Sequence, residues 1–139
     1  LYRIKKIIIK KNKMKKNKII YWVSTSIIFL FEGVMPALTS NSELAREGIS
    51  HLGYPNYFRV MLTCFKVAGA VVLILPMCKG RIKEWAYAGF AFTMISATVS
   101  HIAVDGINNG QSFFPLLILA ILMLSYFYYH KLNSPLKIA

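Results

Sequence analysis

The sequence predicts an all-α fold, a membrane-spanning four-helix bundle with N- and C-termini cytoplasmic. Three observations predict it. Four apolar stretches, roughly 19–38, 57–77, 85–104 and 113–129, fill most of the 139 residues. Each approaches the ~20 apolar residues needed to cross a ~30 Å hydrocarbon core. In lipid every backbone N–H and C=O must be bonded within the protein, so stretches of this length read as helices. The third observation is the placement of charge. Nine of the 17 Lys and Arg residues precede the first stretch. Lys79, Arg81 and Lys83 lie between the second and third, and Lys131 and Lys137 follow the fourth. The first and third connections hold only Arg46. Basic residues are retained on the cytoplasmic side, which puts both termini there and makes this a multi-pass protein of the cell membrane.

Residues 1–18 read as a basic cytoplasmic tail. The net charge of +12 would suit nucleic acid in a soluble chain, but here the charge follows the connections of a membrane protein. The expected partner is the lipid bilayer, with no nucleic acid. Each Lys or Arg near an anionic leaflet contributes roughly 1 kcal/mol of attraction. Residues 1–13, LYRIKKIIIKKNK, read as an extension from an upstream start, because Met14 opens a lysine-rich flank of its own. Their pattern also suits a short surface helix. No small-residue cleavage site follows the first apolar stretch, so it reads as a span and not a signal peptide.

The transmembrane domain is expected over 19–131, and a cytoplasmic tail over 132–139. Tyr21, Trp22, Trp85, Tyr87, Tyr126, Tyr128 and Tyr129 all fall at the basic ends of the spans, where amphipathic rings favour the headgroup layer. Tyr54, Tyr57 and Phe58 supply the opposite belt. Pro36 and Pro76 lie near span ends and should shape the exits. In the first connection, Ser40 and Glu43 have capping-box spacing, and Gly53-Tyr54-Pro55 reads as a helix stop, so a short surface helix is expected between them. The second connection is tight and makes spans two and three an antiparallel pair. The third has strong turn chemistry, with Ser112 placed to cap span four and Pro115 in its first turn. Gly89, Thr93, Ser96 and Ser100 form a small-residue stripe on span three, and Gly69 and Ala70 do so on span two; both suit close helix packing.

Cys64 and Cys78 are separated by fourteen residues, about 21 Å along a helix. That exceeds the reach of a disulfide. Without a C-x-x-C pair, internal thiol exchange is unsupported. His51, His101 and His130 are scattered, so no metal site is expected. No nucleophile–base motif, phosphate loop or dinucleotide fingerprint is present.

Chemistry concentrates instead on charges inside the spans. A charge at membrane depth is costly and marks function by default. Glu32 lies about 20 Å above the cytoplasmic edge on span one, and His101 about 24 Å up span three. Lys66 lies about 16 Å above the same edge on span two. Glu32 and Lys66 match best in depth. Arg59, Thr63 and Lys66 share one face of span two, which makes Arg59 a second partner for Glu32, although its position also lets it snorkel into the headgroups. The expected arrangement is a polar cavity between spans one, two and three in the outer half. Glu32, Arg59, Lys66 and His101 would supply its polar groups, with Thr63 and Ser100 lining it. It would suit a small anion, a quinone headgroup or a proton path. A dry ion-pair core is the structural alternative.

The segments HLGYPNYFRVML, FKVAGAVVLILP and RIKEWAYAGFAFTMISATVSH strongly resemble the DoxX-like family of small four-helix membrane proteins. The resemblance rests on Gly53, Tyr54, Pro55, Lys66, Gly69, the run Glu84 to Gly89, Ser100 and His101. It implies an integral membrane protein related to components of quinone-coupled sulfur oxidation or of membrane oxidoreductase complexes. More distant relatives look like assembly factors. Two readings follow. One is a non-enzymatic or accessory subunit of a membrane redox complex, with a membrane-protein or redox-enzyme partner and a quinone as its cofactor. The other is a stand-alone membrane oxidoreductase or small-ligand transporter using the outer-half pocket. Redox activity would require a bound electron carrier, because none of these side chains supplies hydride chemistry.

Overall fold

No proline or glycine interrupts the first 29 residues, and the chain winds through them as one helix. The computed structural model describes residues 1–134. Helix α1 runs Tyr2–Phe29, so the lysine-rich segment is the exposed first half of the helix whose second half enters the bundle. Most of the expected tail 132–139, including Lys137, lies outside the described residues.

Pro36 then alters the helix before it. Its missing N–H cannot reach the carbonyl of Glu32, four residues back. Residues Leu30–Val34 widen into a single π turn, in which the Met35 N–H reaches the Leu30 carbonyl, and α2 (Met35–Thr39) continues the rod. Such turns relax a strained helix and re-aim the side chains they carry. Here the side chain carried is Glu32.

The surface helix of the first connection is α3 (Glu43–His51). Its cap is Ser42, whose Oγ accepts from the Ala45 N–H at 3.2 Å, and not Ser40 as the capping-box spacing predicts. Ser40 is drawn away by Arg59 and Thr63. Gly53 ends the turn with φ +85°, a conformation open to glycine, and Tyr54 N–H closes back on the Ile49 carbonyl at 3.1 Å. Helix α4 (Asn56–Ile74) stops before the apolar run does, because Pro76 biases Leu75 to extended backbone. Helix α5 (Arg81–Asp105) and helix α6 (Phe114–Asn133) complete the set, the latter entered through a 3₁₀ turn at Gly110–Phe113. Pro115 sits in the first turn of α6. Ser112 does not cap that helix. It is buried, and its hydroxyl donates to the Gly106 carbonyl at 3.0 Å, while Asn109 caps the 3₁₀ turn.

The chain has four helical segments long and apolar enough to cross a membrane: Tyr2–Thr39, Asn56–Ile74, Arg81–Asp105 and Gly110–Asn133. Their main contacts close a ring, α1 on α6, α6 on α5, α5 on α4, and α4 back on the π turn and α1. Ile28, Leu73, Tyr87, Met94 and Leu122 fill its centre. Two close approaches fix the crossings at α4. A Cβ on Gly33 would fall 2.6 Å from Ala70 Cβ, and one on Gly69 would fall 2.9 Å from the Phe90 ring. The stripe on α5 does not pack in this way. A Cβ on Gly89 meets nothing within 4 Å, and Gly89 and Thr93 border an open apolar groove between α4 and α5. Lys79, Arg81 and Lys83 lie at one end of the bundle, the basic end, and α3 lies at the other.

Candidate functional site

The π turn brings Glu32 inward until it is buried against α4. Lys66 Nζ meets its Oε2 at 2.8 Å. Side-chain exposure is 10% for Glu32 and 20% for Lys66, so this is a largely buried ion pair. The distance is that of an ion pair, but the approach misses hydrogen-bond alignment, and Oε2 has no hydrogen-bond partner. The attraction is therefore coulombic, and the carboxylate retains unused acceptor capacity.

Arg59 lies two turns from Lys66 on α4 and does not reach Glu32. Its Nη1 donates to the Ser40 carbonyl, to Ser40 Oγ at 3.0 Å and to Asn41 Oδ1 at 3.1 Å, and its Nε donates to Asn56 Oδ1 at 3.1 Å. It is buried and does not snorkel outward. The exposed carbonyls at the end of α2 are strong acceptors, and a guanidinium satisfies several at once. Arg59 therefore straps the α2–α3 turn to α4. Thr63 joins the strap, sharing a 2.8 Å hydrogen bond with Ser40 Oγ and donating to the Arg59 carbonyl at 2.8 Å.

His101 also has a different partner from the one its depth suggests. Its Nδ1 lies 2.8 Å from Asp105 Oδ2, one turn on. The other carboxylate oxygen, Oδ1, meets Nε2 of His51 at 2.5 Å. Asp105 thus ties α3 to α5, with His51 59% exposed at the outer limit of the chain of bonds. Asp105 reads in the sequence as turn chemistry, yet its i, i+4 spacing from His101 was a visible signal. Ser100 turns away to share a 2.7 Å bond with Tyr54 OH, which fixes the end of α3 a second time.

Between these groups lies a cavity of about 490 Å³. Glu32, Arg59, Thr63, Lys66 and His101 border it together, and Ser100 does not. Phe31, Met35, Leu62 and Phe114 supply apolar wall, while Gly48 and Ile49 of α3 form its roof. The cavity thus touches α6 as well as the first three spans.

The model of the DoxX-like family matches residues 20–125. The chain belongs to the DoxX-like family. No curated protein and no solved structure gives a match. Every cavity residue named above falls within the matched region of this DoxX-like protein, whereas the lysine-rich start of α1 falls outside it.

A second polar layer lies nearer the basic end of the DoxX-like bundle. Lys83 reads in the sequence as one more loop lysine, yet it is only 1% exposed. Its Nζ donates to Tyr21 OH at 3.0 Å and lies 5.2 Å from the centre of the Tyr129 ring. Aromatic faces stabilise a desolvated cation here without a carboxylate. Beside it Ser125 joins Tyr87 OH and Thr25 Oγ1, each at 2.7 Å. These hydroxyls satisfy one another. The tyrosines that composition assigns to a headgroup belt thus include three, Tyr21, Tyr87 and Tyr129, that are core residues.

Proposed function

We propose that this DoxX-like protein is an accessory, ligand-binding subunit of a quinone-linked membrane redox complex. Its cavity takes the polar head of a small membrane-soluble ligand. By the positive-inside rule the basic end faces the cytoplasm of a cell membrane, so the cavity opens in the outer half. One observation carries the reading: the Glu32 carboxylate, buried beside Lys66 at a cavity wall, has an oxygen with no hydrogen-bond partner. In a low-dielectric site that capacity is valuable only when a donor arrives. A cavity of about 490 Å³ with mostly apolar walls and a few converging polar groups has the size and character of a small-molecule site. Lys66, His101 and Thr63 are the groups beside Glu32 that orient the bound head, and Arg59 holds the roof. The subunit role follows the family resemblance; redox chemistry enters through a partner or a bound carrier.

The test is purification in mild detergent followed by mass spectrometry of everything bound. The expected result is a membrane-soluble small molecule at near-stoichiometric level together with a second membrane protein. Ligand content should fall when Lys66 and His101 are both replaced. Unchanged content in that variant would place the ligand elsewhere and end the pocket assignment.

A further inference from the structure

We infer that the ligand of this cavity carries a hydroxyl group that Glu32 and Lys66 bind together. The inference rests on the proposed pocket and narrows its chemistry. It follows from counting what each charged group at the wall still has to offer. Arg59 has already given Nη1 and Nε to Ser40, Asn41 and Asn56. The charge of Lys66 is balanced by Glu32 at 2.8 Å. His101 has its Nδ1 committed to Asp105. Of the charged groups at the wall, Arg59 has no carboxylate partner among the described residues.

What remains open is complementary to a hydroxyl. Among the described residues Glu32 Oε2 has no aligned hydrogen-bond donor, although Lys66 Nζ lies 2.8 Å away. A single hydroxyl can donate its O–H to the carboxylate and accept an N–H from Lys66 with the same oxygen. A carbonyl can do only the second. An ether likewise brings the carboxylate no hydrogen-bond donor, so it forgoes the charge-assisted bond that a hydroxyl makes. The apolar wall formed by Phe31, Met35, Leu62 and Phe114 then suits a hydrocarbon ring or chain attached to that hydroxyl. For a ligand with interconvertible dicarbonyl and dihydroxyl forms, the dihydroxyl form is the one this site holds.

The experiment uses three matched probes: para-hexylphenol, its methyl ether and para-hexylbenzoate. Binding to the full chain in lipid nanodiscs is measured by calorimetry against empty nanodiscs. The phenol should bind roughly ten- to a hundredfold more tightly than the ether, the range expected for one hydrogen bond to a charged group. The benzoate, which has no O–H to give the Glu32 carboxylate, should bind more weakly than the phenol. Glu32→Gln should remove most of the phenol's advantage while leaving ether binding in place. Gly48→Phe, which fills the open roof, should weaken phenol and ether alike. Equal binding of phenol and ether, or a preference for benzoate, would overturn the hydroxyl assignment while leaving the pocket standing. Absence of binding by all three probes, or binding untouched by Gly48→Phe, would overturn the pocket itself.

Discussion

Replacing Lys66 by Met leaves Glu32 as a buried acid with no counter-charge, and the cost can be bounded. Fully exposed ion pairs contribute about 0.2–1 kcal/mol, while removing one member of a buried pair costs about 3–5 kcal/mol. Side-chain exposures of 10% and 20% put Glu32 and Lys66 near the buried limit but short of it. Lys66→Met should therefore destabilise the bundle by about 2–4 kcal/mol. Changing both partners, Glu32→Gln with Lys66→Met, removes the stranded charge and should cost about 1 kcal/mol, since a neutral isostere needs no counter-ion. The assay is equilibrium unfolding in mixed micelles followed by helical circular dichroism, run on the wild type, both single variants and the double. The two single-variant costs should together exceed the cost of the double by at least about 1–3 kcal/mol, the range for directly contacting residues. Additivity within about 0.5 kcal/mol would refute the reasoning, because it would mean that each side chain finds water or lipid headgroups without the other.

Three further outcomes are expected. Gly33→Ala puts a Cβ 2.6 Å from Ala70 Cβ and should destabilise by about 1–3 kcal/mol, with Ala70→Gly in the same chain recovering at least half on a thermal melt. Ser125→Ala strips the shared partner from Tyr87 OH and Thr25 Oγ1 and should cost about 1–3 kcal/mol, whereas adding Tyr87→Phe and Thr25→Val should bring the melting temperature back toward wild type. A cysteine placed at Asn109 should react with an impermeant maleimide added outside intact cells, and labelling from the cytoplasmic side alone would reverse the proposed orientation.

The number of spans was legible because hydrophobic length is a property of local sequence. The contact between Glu32 and Lys66 was legible too, because depth follows from residue count and an intramembrane charge has few alternatives. What the sequence concealed depends on rotation about the helix axes and on competition between partners. Pro36 reads as a span exit, but its effect is felt upstream, where it widens the turn that carries Glu32. Arg59 has the right face and approximate depth to meet Glu32. It is captured instead by the carbonyl and side chains at Ser40 and Asn41, acceptors that exist only once α2 has ended there. Lys83 lies in a basic connection by position, and no local signal says that α5 begins at Arg81 and turns that lysine inward among tyrosines. Asp105 was overlooked because a turn explains an aspartate well enough, although His101 four residues earlier offered a partner.

The two polar layers separate structure from function by how fully they are satisfied. Tyr21, Thr25 and Ile28 of α1 and Glu32 of the π turn recur at helical spacing and point into the same bundle. Tyr21 and Thr25 belong to a layer in which the Lys83 amine, the Tyr87 hydroxyl and the Ser125 hydroxyl all have partners. Such a layer holds helices in register and has nothing left to offer a ligand. Ile28, fully buried, separates it from the next layer. There Glu32 has charge balance without a hydrogen bond, at the wall of an open cavity. An ion pair that misses hydrogen-bond alignment leaves part of the carboxylate's desolvation cost uncompensated. A ligand hydroxyl that supplies the missing donor removes that cost on entry. The difference between a filled and an unfilled hydrogen-bonding layer is thus the physical reason to look for the ligand at Glu32 and not at Lys83, although Lys83 is the more deeply buried charge.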